Sequence, residues 1–164
     1  MTWAAVILAV VTLQRIFELL LAQRNTQRLL DRGGGEVAAE HYPLIVLLHT
    51  LWLAALWWWG WNASVNTIWL SLFVVLQVLR IWIIATLGDR WTTRIITVPG
   101  ETRIRIGPYR FMNHPNYAVV IAEIAVLPLT LGLLTLAIVF SALNAIVMFV
   151  RIKAETQALN DAET

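Results

Sequence analysis

What most constrains this chain is the recurrence of apolar stretches long enough to cross a bilayer: Trp3 to Leu21, Tyr42 to Trp59, Val65 to Leu87 and Leu133 to Val150. A crossing needs about 20 apolar residues in a helix, because the hydrocarbon offers no partner for an open backbone N–H or C=O. A fifth stretch, Pro115 to Leu127, is apolar but reaches only about 20 Å as a helix. Pro128 and Gly132 interrupt the pattern before it resumes, so the last two segments are expected to form a helical hairpin. With 59% hydrophobic and only 13% charged residues in 164, there is no room for a separate soluble domain. The expectation is a single membrane-embedded domain over residues 1–164, all-α and polytopic, with about five transmembrane segments.

Charge orders these segments. The connection Gly60 to Asn66 carries no charge, whereas the stretches before the second segment and after the third hold Arg24, Arg28, Arg32, Arg90, Arg94, Arg103, Arg105 and Arg110. Basic loops stay on the cytoplasmic side, which puts the N-terminus outside and the C-terminus inside. Trp57, Trp58, Trp59 and Trp61 mark the outer interface. The pI of about 9.5 is explained by this bias, and without a basic helix or an aromatic platform nucleic acid is not expected as a partner. The first segment lacks a basic leader and a small-residue cleavage site and carries Arg15 and Glu18, so it reads as a retained span. Asn62-Ala63-Ser64 matches a glycosylation sequon but reads better as a polar turn. Cysteine is absent, which removes disulfides and thiolate chemistry, and three scattered histidines make a poor metal site.

Two polar elements fall on the basic face: Gly107 to Tyr117, then Arg151 with Glu155. His114 before Pro115 reads as a helix entry, whose open N–H groups form a positive dipole end suited to an anionic or polar ligand group. Arg151 and Glu155, spaced i, i+4, share a helix face where they can pair with each other. Arg94 to Val98 and Thr102 to Ile106 flank Pro99-Gly100, a pattern that predicts a small hairpin. Within the spans, Arg15 and Glu18 are close enough to pair locally, and Arg80 is near enough to its helix end to snorkel to the interface. Glu123, seven residues after Asn116, faces the bundle interior either as a functional carboxylate or as an interhelical hydrogen-bonding group. His41, at the interface, is a substrate-side candidate.

These residues carry a resemblance. Gly107 and Tyr109, then His114-Pro115-Asn116-Tyr117, and after two apolar segments Arg151 with Glu155, resemble the G-x-Y, H-P-x-Y and R-x-x-x-E elements of the isoprenylcysteine carboxyl methyltransferase family. Within it the chain looks most like the small bacterial branch that methylates lipophilic products such as alkylpyrones. The likeness extends to Arg32-Gly33-Gly34 with Glu36, His41-Tyr42-Pro43 through Leu48-His49, and Trp91 to Ile96. It implies an S-adenosylmethionine-dependent membrane methyltransferase, consistent with the lack of a glycine-rich dinucleotide motif. Cofactor contacts would fall on Glu101, Thr102, Arg103, Ile104, Tyr109, His114, Pro115, Asn116, Tyr117 and Glu155, with Arg151 toward the acceptor. Two positions depart from the family: Asn113 stands where it has Arg, and Thr156 where a second acid often follows.

The expected chemistry is methyl transfer to an enol, phenol or carboxylate oxygen of a lipophilic acceptor taken laterally from the membrane lipid. Such a displacement needs alignment and exclusion of water rather than a covalent intermediate. Arg151 can hold the acceptor oxygen as its anion, and His114 is either a base or a cofactor-orienting or helix-capping residue. The competing readings are an amine or thiol methyltransferase and a non-catalytic membrane scaffold or transporter. A transporter should carry polar residues across the whole bilayer, and here they thin out toward the uncharged side. Oligomeric state is not legible.

Overall fold

Five helices form in a computed structural model of the chain, which describes residues 2–39 and 42–163, with side chains through Gln157. In order they are α1 (Trp3–Asp31), α2 (Tyr42–Gly60), α3 (Thr67–Leu87), α4 (Pro115–Thr130) and α5 (Leu134–Glu163). Helices α1, α2, α3 and α5 are long and apolar enough to cross a membrane, and α4 is the shorter apolar partner that packs against α5 as a hairpin. The architecture is that of an all-α integral membrane protein. Phe17, Val78, Ile138 and Phe149 lie on its outer faces, each well exposed where lipid would cover it.

Polar caps set the helix boundaries. Thr2 accepts from the Ala5 N–H and Asn66 from those of Ile68 and Trp69, each satisfying first-turn donors. Pro115 supplies the preset first turn of α4. Pro128 lies within the last turn of α4, which runs on to Thr130 before Gly132, at φ +70, reverses the chain with N–H groups of Gly132 and Leu133 returned to Leu129 and Pro128. The uncharged end is tied by the Asn66 N–H to the Thr130 carbonyl at 2.8 Å and by the Thr2 hydroxyl to the Trp61 carbonyl.

A two-stranded antiparallel ribbon crosses the opposite end, and its pairing corrects the sequence reading. Ile95–Thr97 (β2) pairs with Gly35–Val37 (β1), in register Glu36 with Ile96, and not with residues 102–106. Residues 101–104, expected to be strand-like, form an irregular segment whose Glu101 carboxylate is held by Arg32 and by Arg90 Nε at 3.1 Å. Arg28 and Asp89 (2.8 Å) and Arg94 and Glu36 (2.7 Å) pin the same face.

Deeper, between α1, α3 and α4, lies a closed cluster of two arginines and two glutamates. Arg80 does not snorkel. Its Nε and Nη2 donate to both oxygens of Glu18 at 2.6 Å, while Nη1 donates to Glu123 at 2.9 Å. Arg15 donates to Glu18 at 2.8 Å, as expected, and also to Glu123 at 2.9 Å. Gln77 completes Glu123 at 2.7 Å, and Gln14 joins Glu18 to Gln77. Formal charge within the cluster is zero. The Glu18, Arg80 and Glu123 side chains are each no more than 7% exposed, so removing one partner strands a charge that neither water nor lipid relieves. Arg80→Met is therefore expected to lower stability by about 3–5 kcal/mol, with partial recovery when Glu123→Gln restores neutrality. Thermal unfolding in detergent checks this: an Arg80→Met midpoint equal to the parent's would contradict it.

Candidate functional site

The site forms where the charged ends of the helices meet the segment between β2 and α4. Gly107, at φ +54, allows the turn Gly107–Arg110 to lie flat on α3, for a Cβ there would stand 2.6 Å from the Thr86 hydroxyl and 3.1 Å from its methyl. That turn delivers Tyr109 to the site. Burial first, then the neighbouring Glu155, holds the Tyr109 hydroxyl above the ordinary tyrosine range, so it stays neutral and available for hydrogen bonding.

His114 enters α4 without capping it, which removes the helix-capping alternative for its side chain. Its ring crosses instead to α5, with Nε2 3.2 Å from the Thr156 hydroxyl and Nδ1 3.5 Å from the Glu155 carboxylate. The same ring stacks on Tyr117 at 5.5 Å. Arg151 does not pair with Glu155 in the way that their spacing allows. It is buried, donates from Nε to the Tyr117 hydroxyl at 2.8 Å and from Nη2 to the Thr93 carbonyl at 2.6 Å, and stands 5.5 Å from the Tyr117 ring centroid. Arg151 and Glu155 thus face two different neighbourhoods from adjacent turns of α5.

Two cavities meet at Arg151, and Glu155 lines one of them. The larger, of about 480 Å³, opens on the basic face and is lined by Glu101, Arg103, Ile104, Tyr109, His114, Asn116, Tyr117, Arg151 and Glu155. Its volume falls within the roughly 300–1,000 Å³ of small-molecule pockets. The smaller, of about 200 Å³, lies among the helices and is mostly apolar, with Ile45, Trp52, Leu53, Val120 and Met148 in its walls. Trp91, Thr92, Asn116, Tyr117 and Arg151 line both and form the wall between them. In that wall the Trp91 Nε1 and Asn116 Oδ1 are buried without a hydrogen-bond partner.

Of the residues singled out in the sequence, nine converge on the larger cavity and two do not. Thr102 uses its carbonyl to accept from Arg90 at 2.9 Å, and Pro115 is buried as the first residue of α4; neither lines it. His41 lies outside the described residues. Residue-by-residue reading gave no role to Thr93, whose carbonyl anchors Arg151, or to Tyr42, whose hydroxyl is 3.2 Å from that of Thr93 and whose ring lies under Arg94 at 4.5 Å. Their signal was the continuity of the motif stretches around Trp91 and Tyr42, which marked segments without assigning tasks.

The model of the isoprenylcysteine carboxyl methyltransferase (ICMT) family matches residues 69–161. The uncharacterized protein YpbQ of Bacillus subtilis (strain 168) is 34% identical over 168 residues, covering 94% of this chain and 95% of that protein. No solved structure matches the chain.

The seat of Tyr109 gives a direct test. Gly107→Ala meets both a left-handed backbone and the Thr86 side chain, whereas Gly100→Ala, at φ +78 in open space, meets the backbone cost alone. Gly107→Ala is expected to lose about 2–4 kcal/mol and Gly100→Ala about 1 kcal/mol. Unfolding midpoints of the two variants measured side by side check the order; equal midpoints would mean that the turn does not rest on α3.

Proposed function

The chain belongs to the isoprenylcysteine carboxyl methyltransferase family, and on that premise we propose that it is an S-adenosylmethionine-dependent methyltransferase acting on an oxygen of a lipophilic acceptor. One observation carries the reading: Tyr117 and Arg151 stand in a wall shared by a polar cavity that opens on the basic face and an apolar cavity among the helices. A water-soluble donor and a membrane-dissolved acceptor reach that wall from opposite sides.

The residues present suit the cofactor. Glu155 supplies an acceptor for ribose hydroxyl or ammonium groups, Tyr109 and Tyr117 offer ring faces to an adenine or a cation, and Trp91 and Asn116 each hold an unused donor or acceptor. When bound, S-adenosylmethionine supplies a methyl group on a sulfonium leaving group. The chain's own contribution is alignment and dryness. Arg151, fixed at two points by Tyr117 and the Thr93 carbonyl, presents its charge to the acceptor side and stabilises an enolate, phenolate or carboxylate there. An acceptor oxygen held as its anion needs no strong base, which leaves His114 as a group that orients Glu155 and the Tyr117 ring rather than one that takes a proton. The same cation disfavours an amine acceptor, whose nitrogen gains positive charge as it takes the methyl group. In this reading the basic face is cytoplasmic, the side on which the donor is dissolved.

The purified protein is expected to bind S-adenosylmethionine and to transfer labelled methyl groups into a component of a bacterial lipid extract. Glu155→Ala should weaken cofactor binding at least about ten-fold, while Arg151→Ala should lower turnover by about 100-fold or more with cofactor affinity held within about three-fold. Cofactor titration and methyl transfer, measured on the same preparations, separate these effects. An absence of cofactor binding by the parent sinks the enzyme reading; undiminished binding by Glu155→Ala sinks only the site assignment.

A further inference from the structure

The smaller cavity has polar groups at both ends. At the level of the shared wall stand Tyr42, Thr93, Tyr117 and Arg151. At its far end stand His49 and the Arg15–Glu18–Arg80 edge of the buried cluster. His49 follows Tyr42 by seven residues of α2, so the two levels are about 10 Å apart along the helix. Glu123, eight residues after Pro115 on α4, lies at a similar depth of about 12 Å. The walls between are apolar. A simple hydrocarbon tail placed upright in this cavity would end against charged and hydrogen-bonding groups, which is unfavourable.

His49 is the far-end group whose spare hydrogen-bonding capacity is accessible; another unpartnered atom there, Arg15 Nε, is sealed. Its Nδ1 lies 2.9 Å from the Ile45 carbonyl, which accepts only, so the neutral His49 ring carries its proton on Nδ1 and leaves Nε2 with a lone pair. Among the described residues Nε2 has no hydrogen-bond partner, and it is not among the polar atoms sealed from access. The charged neighbours, by contrast, pair with one another, and Arg15 Nε, the nitrogen left over, is buried. Leu19 on α1 and Val46 and Thr50 on α2 line the cavity and are exposed at the outer surface, which provides a sideways exit for an alkyl chain.

We infer that His49 is a specificity-determining residue of the acceptor cavity, accepting a hydrogen bond from a second hydroxyl of the acceptor's head group, on the side away from the methylated oxygen. The acceptor class is then a lipid with a compact, doubly polar head held between Arg151 and His49, its tail leaving between α1 and α2. This rests on the smaller cavity being the acceptor site. A site built to pair a hydroxyl rejects the analogue lacking it, because the buried acceptor is otherwise left without a partner.

Two probes test this: a long-chain alkylphenol and its counterpart with a second ring hydroxyl, titrated into detergent-solubilised protein by tryptophan quenching, without cofactor, on the parent, His49→Ala and His49→Gln. The parent is expected to bind the dihydroxy probe about ten-fold or more tightly than the monohydroxy one. His49→Ala should lose that preference through weaker dihydroxy binding alone, with S-adenosylmethionine affinity unchanged as evidence of folding. His49→Gln, which retains an acceptor oxygen, should recover part of it. Equal binding of the two probes by the parent, no binding of either, or an undiminished preference in His49→Ala overturns the inference. Because probe binding is read without cofactor or methyl transfer, a protein that discriminates the probes but binds no S-adenosylmethionine would refute the proposed reaction and leave the role of His49 standing.

Discussion

The fold turns on the fork between Arg80 and Glu18, extended by Arg15 to Glu123. In a soluble protein a buried pair of this kind is often no better than packed hydrocarbon, since desolvation offsets the attraction. In lipid the balance differs, because the helices bring these residues to a depth where water is scarce whether or not they assemble. The cluster satisfies every carboxylate oxygen of Glu18 and Glu123, and it does so only when α1, α3 and α4 hold one register and one rotation. Apolar packing in lipid supplies little discrimination among helix rotations. The ion cluster supplies it, and so sets which faces of α4 and α1 turn toward the cavities.

From that arrangement the site follows by short steps along rigid elements. The face of α4 that presents Glu123 to the cluster also carries Asn116 toward the wall between the cavities, seven residues and two turns earlier. The hairpin then returns α5 against α4, and its last turns in the membrane bring Arg151 to Tyr117 and Glu155 to His114. Nothing in this chain of contacts depends on a long loop. The segment that does wander, from Arg90 to Asn113, is fastened by Arg32, Arg90 and Glu101, by the β1–β2 pairing, and by the close seat of Gly107 on α3.

Much of this was legible in the amino-acid sequence, and the parts that were not have a common cause. The spans and their hairpin follow from hydropathy, since lipid enforces helix wherever the chain is apolar. The motif residues Tyr109, His114, Tyr117, Arg151 and Glu155 were found through their spacing and family likeness, and they do assemble at one cavity. Arg80 was misread because its distance from the helix end suggests snorkelling, while its rotation toward Glu18 depends on a neighbour 62 positions away. The partner of β2 was misread in the same way: proximity favoured residues 102–106, whereas the short Gly35-Glu36-Val37 stretch carries no periodic signal. The smaller cavity was invisible because its walls are shared among five helices and a loop.

The two levels of polarity also bear on why a charged cluster is tolerable beside a cavity proposed to take a lipophilic molecule. A single buried charge at the cavity end would dominate recognition and favour any counter-ion of suitable size. A neutral cluster with its oxygens already filled exerts a weaker and shorter-ranged field, so the cavity end can discriminate by hydrogen bonding rather than by charge. On the proposed reading, that leaves the Nε2 lone pair of His49 to read the far side of the head group, while the positive charge of Arg151 acts where an oxygen is held as its anion. Separating these tasks by about 10 Å along α2 keeps the far group from competing for the position occupied by the reacting one.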